Sequence, residues 1–189
     1  MHRKRQLCNN SDITTVLRVD TSGVLAHLVE DGYPYAIPLS YAYDEDRNRI
    51  YVHSANEGYK LDCIKYHDKA SFCVVNKDET IINRFDTMFH SVITFGKVRI
   101  TDDESEKRHA LTLLGEKFSI PDNPELDAYI ERAWNKLTAI SLDIKHITGK
   151  ESIELFIEKT NQLLLLKQDA PLSIAITRLL NIYNLIFQY

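Results

Sequence analysis

Apolar and polar positions alternate over long stretches of this chain, and turn residues punctuate them. "GVLAHLVE", Gly23 to Glu30, alternates as a half-buried strand does, and Asp31-Gly32 behind it signals a hairpin turn. "YAIPLSYAY", Tyr35 to Tyr43, gives a second strand. Pro38 removes a ladder donor there, which predicts an edge position, a bulge or a bend at that point. "DEDRN" turns the chain into a third strand, "RIYVHS". From Glu57 the spacing becomes helical, with Leu61 and Ile64 in register, and it stops at "HDK". "ASFCVV" is the fourth strand and "HSVITFGKVRIT" the fifth, where Gly96 marks a bulge or a close backbone approach. A helix begins near Asp102, its early carboxylates suited to the helix dipole, and a second covers Pro124 to Asn135. "LTAISLDIKHIT" is the sixth strand. Six mostly sequential strands with a few inserted helices favour a small antiparallel barrel over a doubly wound sheet.

Composition narrows the classes. At 189 residues, with 44% hydrophobic and 26% charged positions, the chain suits one domain with a real core. A formal net charge of -4 argues against a nucleic-acid binder. The only basic cluster, "HRKR" at His2 to Arg5, reads as a solvated terminus or an electrostatic hook. Cys8, Cys63 and Cys73 show neither CxxC pairing nor zinc spacing, so no metal site is expected. Cys73, inside an apolar run, reads as a small buried hydrophobe. An odd cysteine count without a signal peptide points to the cytoplasm. No apolar run approaches the ~18 residues of a membrane span. The tail "NQLLLLKQDAPLSIAITRLLNIYNLIFQY" is apolar on nearly all sides and could pack on the barrel or on a partner subunit.

The candidate chemistry gathers where strand gives way to helix. "IYVHSANEGYKLDCI", Ile50 to Ile64, holds His53, Ser54, Asn56, Gly58 and Lys60 at that switch. A helix N-terminus presents unpaired backbone N–H groups and a partial positive charge, to which Ser54 adds a hydroxyl and Lys60 a full charge. Two readings follow, an anion site or an ordinary capped helix start. Pro38, Leu39, Ser40 and Tyr41 lie in the interrupted second strand, whose free backbone groups could read the edge of a planar heterocycle or merely form a bulge. His53 is a candidate acid–base or ligand contact, or a structural residue at a strand end. With no GxSxG, GxGxxG or P-loop, hydrolase and Rossmann dehydrogenase readings have no support.

Taken in order, "GVLAHLVEDGYPYAIPLSYAY", "IYVHSANEGYKLDCIK", "SFCVV", "SVITFGKVRI" and "HITGKESIEL" resemble one family. It is the pyridoxamine 5'-phosphate oxidase-like FMN-binding split barrels, and within them the nitroimidazole-resistance branch. The resemblance covers about residues 1 to 158 and implies a mainly β fold with some α. That fold is a six-stranded antiparallel split β-barrel of Greek-key type with peripheral helices. It also implies a homodimer with FMN in clefts between the subunits. Residues 1-158 would then be the FMN-binding domain and 159-189 a C-terminal apolar extension outside the family pattern. By the same resemblance His53, Ser54 and Lys60 hold the phosphate or ribityl chain. The backbone of Pro38, Leu39, Ser40 and Tyr41 lies along the isoalloxazine, and Trp134 approaches a flavin from the partner subunit. His53 also occupies the position linked to chemistry in the nitroimidazole-resistance branch. The strand-two arginine of true pyridoxamine phosphate oxidases has no counterpart in "AIPLSYAY", which argues against that particular activity.

The function so implied is an FMN-dependent oxidoreductase. It would reduce a small oxidised substrate, nitroaromatics being one class, with a reduced nicotinamide as electron donor. A flavin carrier or sensor without turnover is the alternative, as is a split barrel that binds haem or a deazaflavin.

Overall fold

The computed structural model describes residues 6–82 and 85–165. One antiparallel sheet dominates it: β1 (Ser22–Leu28), β2 (Pro34–Ser40), β3 (Ala42–Asp44), β4 (Arg49–Ala55), β5 (Lys69–Ile81), β6 (Asp86–Ile100) and β7 (Leu137–Glu151). The strands lie in the order β2-β1-β5-β6-β7-β4-β3. The hydrogen-bonded ladder does not close, since β2 and β3 are its two edges. They are consecutive in the chain, separated by Tyr41 alone, so the chain itself bridges the gap. This is the expected split barrel, with seven strands in place of six because the second expected strand divides.

The division falls three residues later than the proline suggested. Pro38 sits inside β2, opposite Val24 of β1. An edge strand tolerates it because its missing N–H can face the unpaired side. The change of partner comes at Tyr41, where the chain leaves β1 and begins to pair with β4 through Ala42↔Tyr51. Tyr41 is fully buried and its ring packs edge-on against Phe72 at 5.0 Å.

Inside the barrel, alternation places Leu25, Ile50, Val52, Phe72, Val74, Val92, Val98, Ile140 and Leu142 in one core. Burying each such side chain stabilises the fold by about 1.5–3 kcal/mol. Cys73 departs from its expected place. Phe72 and Val74 take the inward positions, so the period of two turns Cys73 outward, where it is half-buried. Two bulges bend the long strands. Asn76 is the extra residue where the pairing shifts from Val75↔Ser91 to Lys77↔His90. Lys145 is the extra one where Phe95↔His146 gives way to Gly96↔Ile144. The expected close approach at Gly96 is there: a Cβ on it would lie 2.1 Å from the Asp143 carbonyl oxygen.

Helices cover the rest. α1 (Asn10–Val19), which the apolar pattern did not announce, buries Ile13, Val16 and Leu17, and Asn9 caps it by accepting from the Asp12 N–H at 2.8 Å. α2 (Tyr59–Tyr66) follows β4, and α3 (Glu104–Phe118) is capped by Asp103. α4 (Leu126–Ala133) runs into a 3-10 turn, Trp134–Lys136. α5 (Ile153–Leu165) runs through the expected domain limit after residue 158, and residues 166–189 of the apolar extension lie outside the described residues, as does the "HRKR" cluster. Among the described residues no helix is long and apolar enough to cross a membrane.

Candidate functional site

The β4–α2 corner is built as an open helix start. Gly58 is the N-cap of α2, at φ 136° and ψ 156°, and no side chain caps the helix. That φ favours glycine, and the space where a Cβ would stand is clear. Asn56 pins the corner to the start of β7: its Nδ2 donates to the Asn135 carbonyl at 2.7 Å, and Thr138 Oγ1 donates to its Oδ1 at 2.8 Å. The first turn of α2 therefore keeps its N–H groups free of side-chain caps on a fixed scaffold, which suits an anion.

The charges at the corner agree. Burial pushes the Lys60 ammonium below its ordinary value, and no carboxylate among the described residues raises it again. Desolvation, then the charge of Lys60, holds the His53 imidazole below its ordinary value, so it is neutral at pH 7. A partly desolvated cation beside an imidazole and N–H groups without a side-chain cap can receive an anion. Ser54, by contrast, faces inward and is only 4% exposed.

His53 and Ser40 come together in one hollow. A pocket of about 240 Å³ lies where β2 and β4 face the helices α3 and α4, lined by Ser40, His53, Leu114, Phe118, Tyr129 and Leu137 among others. The sequence assigns α3 no part in the site, and the second expected helix only Trp134. The signal available was Gly115 in mid-helix, where a Cβ would meet Leu126 at 2.2 Å, so glycine lets α4 approach α3.

The remaining expected residues are dispersed. Pro38 is exposed on the same face of β2 as Ser40, and Leu39 points the other way, onto the core. The Tyr41 side chain is committed to the interior, with Lys117 Nζ 4.0 Å from its ring centroid. Only the Tyr41 backbone can take part in a site. Trp134 does not line the pocket of its own chain; Lys107 and Arg108 of α3 stand 4.5 and 4.8 Å from its ring centroid.

A larger hollow of about 690 Å³ lies elsewhere, on the outer face of the sheet, bounded by Ala26, Leu28, Pro34, Phe95 and Lys97. That face also exposes Val24, Val75 and Ile93. It brings none of the corner residues together.

Comparison with solved structures places the architecture. A candidate 5-nitroimidazole antibiotic resistance protein from Bacteroides thetaiotaomicron superposes with a TM-score of 0.64 at 18% identity, over 77% of this chain and 86% of that one. A conserved hypothetical protein from Mycobacterium tuberculosis gives 0.68 at 15% identity, over 80% and 89% of the two chains. An FAD-binding protein from Mesorhizobium loti gives 0.55 at 23%, over 78% and 97%. No curated protein matches the sequence significantly. Residues 9–151, well over half the chain, match the family model for pyridoxamine 5'-phosphate oxidase. With the split barrel and the ordered motifs in agreement, the chain belongs to the pyridoxamine 5'-phosphate oxidase family.

Proposed function

We propose that this chain binds a flavin, specifically FMN, and acts as a reductase of small oxidised substrates. The carrying observation is the uncapped β4–α2 corner, with the Lys60 ammonium in the first turn of α2, beside the pocket shared by Ser40 and His53. The fit is chemical. FMN has a dianionic phosphate for the corner and a planar, largely apolar ring system for the pocket. Lys60 and the first N–H groups of α2 hold the phosphate, while the edge backbone from Pro38 to Tyr41 reads the ring. The relatives point the same way, one being an FAD-binding protein and another a candidate nitroimidazole resistance protein.

The pocket in one chain is too small alone. At about 240 Å³ it falls below the ~300 Å³ at which ligand pockets begin. A second copy completing the cleft resolves this, and the exposed Val24, Leu28, Val75, Ile93 and Phe95 suit the twofold contact. We assign Trp134, which does not line its own chain's pocket, to the partner's cleft in that dimer.

Bound FMN supplies hydride and electron transfer, which no side chain here can perform. The protein binds, orients and excludes water. We assign His53 to cofactor binding, since a neutral imidazole bonds the cofactor without supplying a charge.

That assignment has a pH signature. A phosphate dianion offsets Lys60 and raises the His53 pKa, so binding takes up a proton and affinity gains as pH falls through the imidazole range. The phosphate itself protonates near pH 6, which opposes the gain. In the wild type the two effects oppose each other. In His53→Gln only the loss remains, and FMN affinity is expected to fall several-fold more steeply between pH 7 and 5. Parallel profiles for the two proteins would remove His53 from the site.

The visible spectrum and turnover test the function. The purified protein is expected to show paired flavin bands and to oxidise reduced nicotinamide when a nitroaromatic acceptor is supplied. A flavin spectrum without turnover would make it a carrier, and a Soret band in its place would make it a haem protein.

A further inference from the structure

At the opposite end of the long strands lies a buried cluster that the flavin reading does not use. Cys8, His90 and Glu151 bring a thiol, an imidazole and a carboxylate within 4.8 Å of one another. Sequence spacing cannot show this, because the three come from distant parts of the chain. His90 and Glu151 are direct partners across β6 and β7, so both side chains leave the same face of the sheet. Cys8 is delivered by a bridge, Leu7↔Lys150, and by its N–H bond to the Gly149 carbonyl at 3.1 Å.

The histidine is already oriented. His90 is 4% exposed, and its Nδ1 lies 3.2 Å from Asn76 Oδ1. Asn76 is the bulged residue of β5, and its Nδ2 donates to Asp20 Oδ2 at 3.0 Å, which fixes Oδ1 as the atom facing the imidazole. Nδ1 must therefore carry the proton and donate. Nε2 is left with a lone pair, buried and without a partner. Metal-binding histidines are held in this way, one nitrogen donating to an oxygen and the other free to ligate.

We propose that Cys8, His90 and Glu151 form a binding site for a thiophilic divalent cation, Zn²⁺ being the best match. Thiolate, carboxylate and neutral imidazole balance its two charges, and a water completes four-coordination. Binding forms the sulfur–metal bond as the Cys8 S–H bond breaks, and the proton leaves to solvent. Tetrahedral zinc holds its ligand atoms about 3.3–3.7 Å apart, so the cluster closes by about 1 Å. Lys159 of α5 contacts Glu151 Oε2 at 2.6 Å and Asp12 at 3.1 Å. It is one-third exposed, and Asp12 keeps it paired when Glu151 turns to the metal.

Cobalt is the probe. Untagged, metal-stripped protein titrated with Co²⁺ is expected to bind one equivalent and to develop a thiolate-to-cobalt charge-transfer band, which Zn²⁺ then abolishes. Cys8→Ser should lose the band and bind Zn²⁺ at least roughly a hundredfold more weakly, while Cys63→Ser and Cys73→Ser keep both. Should Cys8→Ser fail to fold, Lys159→Met decides. It keeps all three ligands and removes the competing ammonium, so Zn²⁺ should bind roughly tenfold tighter and raise the melting temperature more than in the wild type. Absence of the band in the wild type, its survival in Cys8→Ser, or unchanged or weaker Zn²⁺ binding in Lys159→Met would overturn the proposal.

Discussion

Replacing Lys60 by alanine is expected to weaken FMN binding ten- to a hundredfold while leaving the fold in place. The ammonium stands at the first turn of α2, partly desolvated and with no carboxylate partner among the described residues. Its interaction with a phosphate is a charge-assisted contact, worth about 1.5–3 kcal/mol, which converts to that loss of affinity. The fold has little stake in it, since Leu61 and Ile64 supply the buried contacts of the helix and Asn56 pins the corner independently. Titration of the apo-protein by flavin fluorescence measures the change, and circular dichroism controls for folding. Unchanged affinity would take the phosphate away from this corner.

The second large effect is structural. Gly96→Ala is expected to destabilise the protein by about 3 kcal/mol, roughly a hundredfold in the folding equilibrium. The added Cβ would meet backbone, the Asp143 carbonyl oxygen at 2.1 Å, and backbone cannot turn aside as a side chain can. The bulge at Lys145 draws β7 this close to β6, so relief means undoing the register shift between Phe95 and Gly96. Denaturant unfolding reports the loss. A midpoint equal to that of the wild type would mean that the two strands are not packed as described.

These two positions also show what a sequence discloses. The corner is local: His53, Gly58 and Lys60 lie within eight residues, and a switch from period two to helical spacing marks the place. Gly96 betrays itself as a glycine inside an otherwise β-prone run. Other features leave no such trace. The break at Tyr41 continues the alternation of its strand, and only the change of partner from β1 to β4 makes it a break. α1 opens with polar "NSD" and carries two threonines, so its apolar face of Ile13, Val16 and Leu17 is thin. The far half of β5, from Val75 to Ile81, is exposed on most positions and loses the alternation that burial imposes, and the facing start of β6, Asp86 to Phe89, is only partly buried. The pocket wall from α3 and α4 follows from tertiary packing, and Gly115 is its one local sign.

The measurement that bears most directly on the central claim compares FMN with riboflavin on the same apo-protein. The two share the ring system and differ in the phosphate. A site anchored at the β4–α2 corner is expected to bind one FMN per chain at least about a hundredfold more tightly than riboflavin, as two or more phosphate contacts imply. Equal affinity for the two, or binding of neither, would contradict it.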